Sequence, residues 1–486
     1  MSPRARTAEE ALPALGARLS AGSDRPAAAS SWRDVTRASD EPTHSVRVSS
    51  AVSAPPDITE VPALHVAVIG AGLAGLAAAL DLKRHGCRVT LVERSRLLGG
   101  KTTSFMVGDQ EMDSGQHAIL GCYTSFLELA EELGMRGDLR LQERFEVLML
   151  SGGGRSRLRA LHLPAPLHLA IPFLGFRGLS LRARLQVVRA LIAARRRHLG
   201  EDVETFAAWL TRHGQGAQAR QGFWEPFLVP ALNAPFDRVS AAAGLFVVRT
   251  ALLGDRHAAR IGYATVPLAR FAEHAAERCD DVRLRTALTG LRVEDGRLRA
   301  LVLGDAEIEV DAAVLAIPPE RLGRVTGAEA LRVEGLERFE SQPIIDVHLW
   351  YDRSLGDLDF AAMTGSPVQW IFAKGPGYLC CSLSSAAGLV ARPEDQLVAL
   401  ADAELRSRLT ELAGATLLRG VAIRDPDATF VPAPGLERPG PATALSNAFL
   451  AGCWTDTGWP ATMEGAVRSG RAAARALLAT VGATHG

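Results

Sequence analysis

Lysine is nearly absent from the 486-residue sequence: Lys83, Lys101 and Lys374 are the only three, and arginine carries almost all positive charge. We read this as coding bias and attach no function to it. Net charge is absent too, with 54 basic residues against 54 acidic ones. A bulk basic surface for nucleic acid is thereby excluded. The six cysteines (87, 122, 279, 380, 381 and 453) form no CxxC pair. That excludes a disulfide scaffold and a zinc ribbon, and no metal site is expected. The pattern fits a reducing cytosol. No stretch has the roughly 18 uncharged apolar residues of a spanning helix. No long apolar run follows the first residues either. Neither a transmembrane segment nor a secretory signal is expected.

Apolar residues make up 47% and charged residues 22%, the balance of a globular protein. The length suits two to three domains and a large core. Residues 1–60 are rich in Ala, Ser, Pro and Arg without a sustained period, and are expected to be a disordered tail. Order begins at Leu64. The run to Ile69 is valine-rich and reads as a buried parallel strand. Residues 73–85 carry apolar residues at helical spacing and end at Gly86. Arg88–Glu93 is a second strand, which completes a βαβ unit. Residues 123–263 read as mostly helical. Strands are expected over Leu288–Glu294 and Arg297–Leu303, flanking the hairpin signal Asp295-Gly296. Ala312–Ile317, 343–351, 378–383 and Ala448–Ala451 read as further strands, and 462–480 as a helix. No internal repeat is found.

Residues 151–200 hold ten arginines and no Asp or Glu. Their middle is apolar and interrupted by Pro and Gly, and an amphipathic helix follows over 180–198. Two readings stay open. One is a solvated helix with one face on the core. The other is a monotopic membrane-contact surface, with apolar side chains in the interface and arginines on anionic headgroups.

Three stretches carry chemistry. The first is Gly70-Ala71-Gly72-Leu73-Ala74-Gly75, between the first strand and the helix. Gly70 permits the tight turn. Gly72 lets the backbone approach a pyrophosphate at the helix N-terminus, and Gly75 allows close helix–strand packing. Glu93 ends the next strand, 18 residues after Gly75. A carboxylate there accepts hydrogen bonds from a ribose, so the unit is expected to bind a dinucleotide. Arg94, Gly99, Gly100 and Lys101 extend the motif; the glycine pair admits another loop close to the phosphates, and the basic residue adds charge. The second stretch is Asp113-Ser114-Gly115-Gln116-His117. The third runs from Phe449 to Gly470: a strand, a Gly/Thr/Pro loop, and the start of a helix with free N–H groups.

In this combination the chain resembles the FAD-binding superfamily of flavin-containing amine oxidases and carotenoid desaturases. The resemblance covers residues 64–482. Within it, Trp454-Thr455-Asp456-Thr457-Gly458, Pro460-Ala461-Thr462 and Glu464 to Gly470 look like the hydroxysqualene dehydroxylase family. So does Phe223-Trp224-Glu225-Pro226-Phe227 followed by Ala231-Leu232-Asn233. Plant-type phytoene and ζ-carotene desaturases share much of the pattern, including the run after Gln116-His117.

The resemblance implies an α/β fold. It has a Rossmann-type FAD-binding domain interleaved in sequence (61–122, 264–325, 440–486), a mixed α+β substrate domain (123–263, 326–439) and a helical membrane-contact region. It implies cofactor contacts from Gly70, Gly72, Leu73, Ala74, Gly75, Glu93, Arg94, Gly99, Gly100, Lys101, Gln116, His117, Leu288, Gly452, Asp456, Thr462 and Met463. The last helix would point its N-terminus at the pyrimidine side of a non-covalently bound flavin. One departure stands out. Most relatives place an acidic residue directly after the glycine of the last motif; here it is Cys453, with Asp456 the nearest carboxylate to compensate.

The implied substrate is a hydrophobic squalene-type isoprenoid drawn from a membrane surface through 151–200. The implied reaction replaces an allylic hydroxyl by hydride from reduced FAD. The enzyme would then be cytoplasmic and peripheral at the inner face of the membrane. Departure of the hydroxyl needs an acid or a positive field, for which His117, Glu225 and Asp456 are the candidates. A carotenoid desaturase or isomerase is the main rival. An amine oxidase is disfavoured, because the strand where such relatives bring a flavin-side lysine offers Asp346. A non-catalytic prenyl-binding protein would not need the C-terminal motif. No second strand–GxGxxG–helix unit exists, so no dedicated nicotinamide domain is expected and the electron partner is not identified.

Overall fold

The computed structural model describes residues 63–195 and 202–484. The expectation of a disordered tail over 1–60 lies outside the described residues. The first sheet is parallel and five-stranded, in the order Asp281–Arg283, Arg88–Val92, His65–Ile69, Ala312–Leu315, Ala448–Leu450. The period of two along a strand sorts its residues between two layers. Val66 and Val68 face helices Leu73–Arg84, Ala269–Ala276 and Met463–Thr484. Ala67 and Ile69 face a three-stranded meander that begins at Leu288. Burial on both faces explains why these strands read as unbroken apolar runs.

The meander hairpin falls where expected, with Leu288–Glu294 paired to Arg297–Leu303. Its turn residues Asp295 and Gly296 both have positive φ, 51° and 70°, as a primed hairpin turn requires. Helices Leu73–Arg84 and Met463–Thr484 cross at Gly470, where an added Cβ would lie 1.9 Å from the Ala74 carbonyl oxygen.

The second sheet has seven strands, in the order Leu417–Phe430, Ser341–Tyr351, Tyr378–Leu383, Trp370–Gly375, Phe360–Met363, Glu146–Ser151, Gly154–Arg159. Only Phe360–Met363 and Glu146–Ser151 pair in parallel. One face, with Ile345, Val347, Ile371 and Leu379, packs on helix Glu394–Arg406 through Leu397, Ala401 and Leu405. The other, with Val147, Met149, Trp370 and Phe372, packs on the helices between residues 167 and 252.

The mostly helical reading of 123–263 holds, with Leu139–Leu141, Glu146–Ser151 and Gly154–Arg159 as strands inside it and Ile261–Ala264 at its end. The run Val147–Leu150 is apolar without interruption and too short for its period to separate strand from helix. The arginine-rich helix is present as Leu181–Arg195; its expected end lies outside the described residues. Arg220–Trp224 forms a π-helical turn directly before helix Glu225–Leu232. Pro226 has no N–H to give a regular helix, which suits a widened turn at this point. Among the described residues no helix is long and apolar enough to cross a membrane.

Candidate functional site

The carboxyl ends of parallel strands are where such sheets bind ligands. His65–Ile69 ends at Gly70, Arg88–Val92 at Glu93, Ala312–Leu315 at Ala316-Ile317, and Ala448–Leu450 just before Gly452. The fold thus gathers motifs from both ends of the chain at one sheet edge. Gly70 has φ 104°, and a Cβ there would stand 2.4 Å from the Ala316 oxygen. Trp454 Nε1 donates to the Ile317 oxygen at 3.0 Å. Residues 316–317 are therefore sandwiched between the first and last motifs.

Gly72 is the N-cap of the first helix and supplies no side chain to cap it. The N–H groups of Leu73, Ala74 and Gly75 are consequently left to a ligand. Gly72 also bridges to Gly99 in parallel fashion. A Cβ on Gly100 would come within 3.0 Å of Gly72 Cα, so the glycine pair makes a cradle that any side chain would fill. Beside it, Thr103 Oγ1 is buried and has no partner. The cradle, the uncapped helix and the orphaned hydroxyl together fit a dinucleotide pyrophosphate.

Glu93 is buried and already occupied on both oxygens, accepting from Ala71 N at 2.8 Å and Ser95 N at 2.8 Å. Each carboxylate oxygen has a second lone pair for a ribose. Arg94 is exposed beside it. Lys101 departs from expectation. Its ammonium lies 2.9 Å from Asp425 and 2.7 Å from the Asp427 carbonyl, so a carboxylate of the second sheet takes the charge expected for the phosphates. Leu288 opens the meander and packs under the sheet edge.

At the other end, Gly452 N donates to Ser469 Oγ at 2.6 Å. Thr462 Oγ1 caps the last helix by accepting from Gly465 N at 3.1 Å, and Met463 is its first residue. Asp456 is exposed and accepts from Gly458 N at 3.1 Å, which shapes the turn. Arg438 binds the whole loop: its guanidinium donates to the carbonyls of Cys453 at 2.7 Å, Trp459 at 2.6 Å and Trp454 at 3.2 Å, and also to Thr455. Burial pushes the Cys453 thiol up, so this residue supplies no charge in place of the acidic one.

The segment 113–117 lies against the second sheet. Asp113 is structural, accepting from Ser104 Oγ at 2.7 Å and Leu268 N at 2.9 Å. Gln116 N donates to Asp346 Oδ2 at 3.0 Å. The neighbouring His117 Nδ1 is 2.9 Å from the Gly115 oxygen. Asp346 is only 2% exposed, and burial holds its carboxyl above the usual carboxylate range. His348, two residues along the same face, is pushed down to about 3 by burial and is neutral.

Glu225 stands apart from these groups, on the helix that docks on Trp370 through the Pro226 carbonyl (2.8 Å from Trp370 Nε1). Burial raises its carboxyl, and Arg220 opposes the shift. Close by is an apolar recess. Phe145, Leu169, Phe173, Leu191, Phe223 and Phe227 line it, and Arg195 is the single charged residue among the described residues of its lining. Ile192 lines it and is 56% exposed, so the recess opens to the surface there.

The fold thus brings the nucleotide turn and the last motif together, with Asp456 on the exposed turn of that motif, sets Gln116 and His117 against the second sheet, and leaves Glu225 elsewhere. Arg438, which holds the last loop, lies outside every motif read from the sequence. Glu464 is fully buried and caps helix Thr124–Glu132, accepting from Ser125 N at 3.1 Å and Phe126 N at 2.9 Å. A buried carboxylate in the first turn of the last helix was the available signal.

The family model for flavin-containing amine oxidoreductases matches residues 73–478. The chain belongs to this family, and it is an FAD-dependent oxidoreductase with a Rossmann-like FAD-binding fold. Within the family its likeness is to isoprenoid enzymes. It is 32% identical over 432 residues to hydroxysqualene dehydroxylase of Rhodopseudomonas palustris, covering 85% of this chain and 98% of that protein. It is 26% identical over 461 residues to 15-cis-phytoene desaturase of Synechococcus elongatus, covering 86% and 96%. Among solved structures, wild-type putrescine oxidase bound to putrescine has the same fold, with a TM-score of 0.66 at 18% identity over 86% of this chain and all of that one.

Proposed function

We propose that the protein reductively dehydroxylates hydroxysqualene to squalene, releasing water. The observation that supports this most is the 32% identity to a hydroxysqualene dehydroxylase along almost the whole of both chains. The apolar recess beside helix Leu181–Arg195 suits a long hydrocarbon.

In this reading residues 61–122, 264–325 and 440–486 carry FAD, and 123–263 and 326–439 the substrate. Gly72, Leu73, Ala74, Gly75, Gly99 and Gly100 would hold the pyrophosphate, Glu93 a ribose, and Thr462 and Met463 the flavin at the last helix. Bound there, reduced flavin supplies a hydride to carbon. The chain's own part is to orient the isoprenoid, exclude water around the allylic centre and deliver a proton to the departing oxygen.

The membrane-contact reading of 151–200 belongs to the same proposal. A hydrocarbon of this length has negligible solubility and must come from a bilayer. Leu161, Leu167, Ile171, Leu174, Leu181 and Leu185 are each exposed by more than 40% around the recess helices, interleaved with arginines suited to anionic headgroups. The protein would then be peripheral at the inner face of the membrane.

The likeness to phytoene desaturase favours a second reading, oxidation of a carotenoid. One experiment separates the two. Photoreduced holoenzyme is incubated without oxygen with hydroxysqualene in vesicles, and oxidised holoenzyme with phytoene. Squalene from the first and no product from the second is expected. Desaturated phytoene with no squalene would transfer the assignment to the carotenoid reading.

A further inference from the structure

The dehydroxylation reading requires an acid, and the three candidates from sequence are poorly placed for it. Asp456 is exposed in a turn that its own carboxylate shapes. Glu225 lies on helix Glu225–Leu232, which docks on Trp370. His117 belongs to that segment, with Nδ1 held at the Gly115 carbonyl.

Asp346 meets the requirement on geometry. Its Oδ2 accepts from Gln116 N, which ties it to the same segment. The Ser382 hydroxyl also donates to this carboxyl, and the Cys380 thiol lies 4.0 Å from Oδ1. Asp346 sits opposite Ser382, and Ser382 sits opposite Trp370. Residues directly opposite share a sheet face, so all three lie on the face toward the recess. Trp370 touches Phe227 of the recess lining, with ring centroids 6.3 Å apart. Two strand spacings, roughly 10 Å, separate Trp370 from Asp346. The proposed route carries the isoprenoid from the recess along this face to the carboxyl.

We propose that Asp346 is the general acid of the dehydroxylation, donating the proton that lets the hydroxyl leave; this rests on the dehydroxylation reading. The C–O bond breaks with its electron pair on oxygen, and that oxygen takes the Asp346 proton and departs as water. Hydride from the reduced flavin forms the new C–H bond, and the flavin ends oxidised. The carboxylate left behind accepts from Gln116 N and the Ser382 hydroxyl, with Lys374 and His117 adding positive charge, and regains its proton from water between turnovers. The other titratable groups facing it are neutral: Cys380 and Tyr378 are pushed up by burial and His348 is pushed down.

The test uses photoreduced holoenzyme without oxygen and two substrates in phosphatidylcholine vesicles: hydroxysqualene, and the acetate ester of the same alcohol. Acetate leaves without needing a proton. Asp346→Asn, with wild-type flavin absorption, should lose about 10²–10⁴-fold in squalene formation from the alcohol and keep the wild-type rate on the ester. Infrared spectra of the wild type at neutral pH should show a protonated-carboxyl band that Asp346→Asn lacks. Equal loss on both substrates, or unchanged turnover of the alcohol, overturns the assignment. Absence of any protonated-carboxyl band in the wild type overturns it without recourse to a variant. If the wild type makes no squalene from either substrate, the dehydroxylation reading falls and takes the acid with it.

Discussion

Glu93 shows how one side chain serves structure and ligand together. Its oxygens satisfy Ala71 N and Ser95 N in a buried turn. Glu93→Ala leaves both donors without an acceptor, a cost of about 1–3 kcal/mol for each. Purified Glu93→Ala should therefore melt lower than the wild type and carry less flavin, read as the ratio of visible to ultraviolet absorbance. An unchanged ratio would remove Glu93 from the cofactor site. At this scale the glycine turn was legible in part, because Gly75 is required by the Gly70 carbonyl five residues away, whereas Gly70 also faces Ala316 on a distant strand end. Asp346 and Arg438 were not legible as site residues. Their partners, Gln116 for the first and the loop carbonyls from Cys453 to Trp459 for the second, are set by the fold. The Lys101–Asp425 pair was not legible either, since Asp425 lies in a strand for which the sequence gives no local sign.

At the scale of elements, the sharpest constraint is the crossing of the first and last helices. Gly470 faces backbone, not a side chain that can turn aside: the Ala74 oxygen would be 1.9 Å from a Cβ. Gly470→Leu should therefore destabilise by at least the 1–3 kcal/mol typical of overpacking. Its midpoint in a denaturant melt should fall, and flavin content should fall with it, because the same helix begins at the cofactor loop. A wild-type midpoint would mean that the helices sit farther apart. The edge of the second sheet offers a pH test. Arg155 on the edge strand holds the Glu411 carboxyl down to about 2 from 4.5. A lowered pKa adds stability that is present above the unfolded value and is lost as pH falls from about 4.5 through 2. The Glu411 side chain is 39% exposed, so solvent screens most of the effect. The small stability gap between wild type and Glu411→Gln should close as pH falls through this window; a gap that widens would contradict the pairing. Strands with strict local signals, such as the Asp295-Gly296 hairpin, were legible to the residue. The apolar run Val147–Leu150 was not, since its role depends on a partner strand more than 200 residues away.

At the scale of the molecule, the two sheets divide the work. The parallel sheet gathers the nucleotide motifs at its strand ends, and the second sheet carries Asp346 between that edge and the apolar recess. The fold class was legible because both ends of the chain bear flavin motifs. The proposed approach from the recess to Asp346 was not, because it crosses three strands at positions that only pairing brings into line. The exposed apolar side chains around the recess helices carry the membrane reading. Changing Ile171, Leu174 and Leu181 together to Ser should lower flotation with anionic vesicles while leaving flavin content intact. Flotation equal to the wild type would sever the recess from the bilayer.

In the proposed reaction, hydride from the flavin replaces a hydroxyl on the isoprenoid. Holoenzyme reduced in deuterium oxide carries deuterium at the flavin N5 position. Mixed without oxygen with hydroxysqualene in vesicles, it should yield squalene bearing one deuterium at the carbon that lost the hydroxyl, mole for mole with oxidised flavin. Squalene without the label, or flavin oxidised with no squalene formed, would contradict the account.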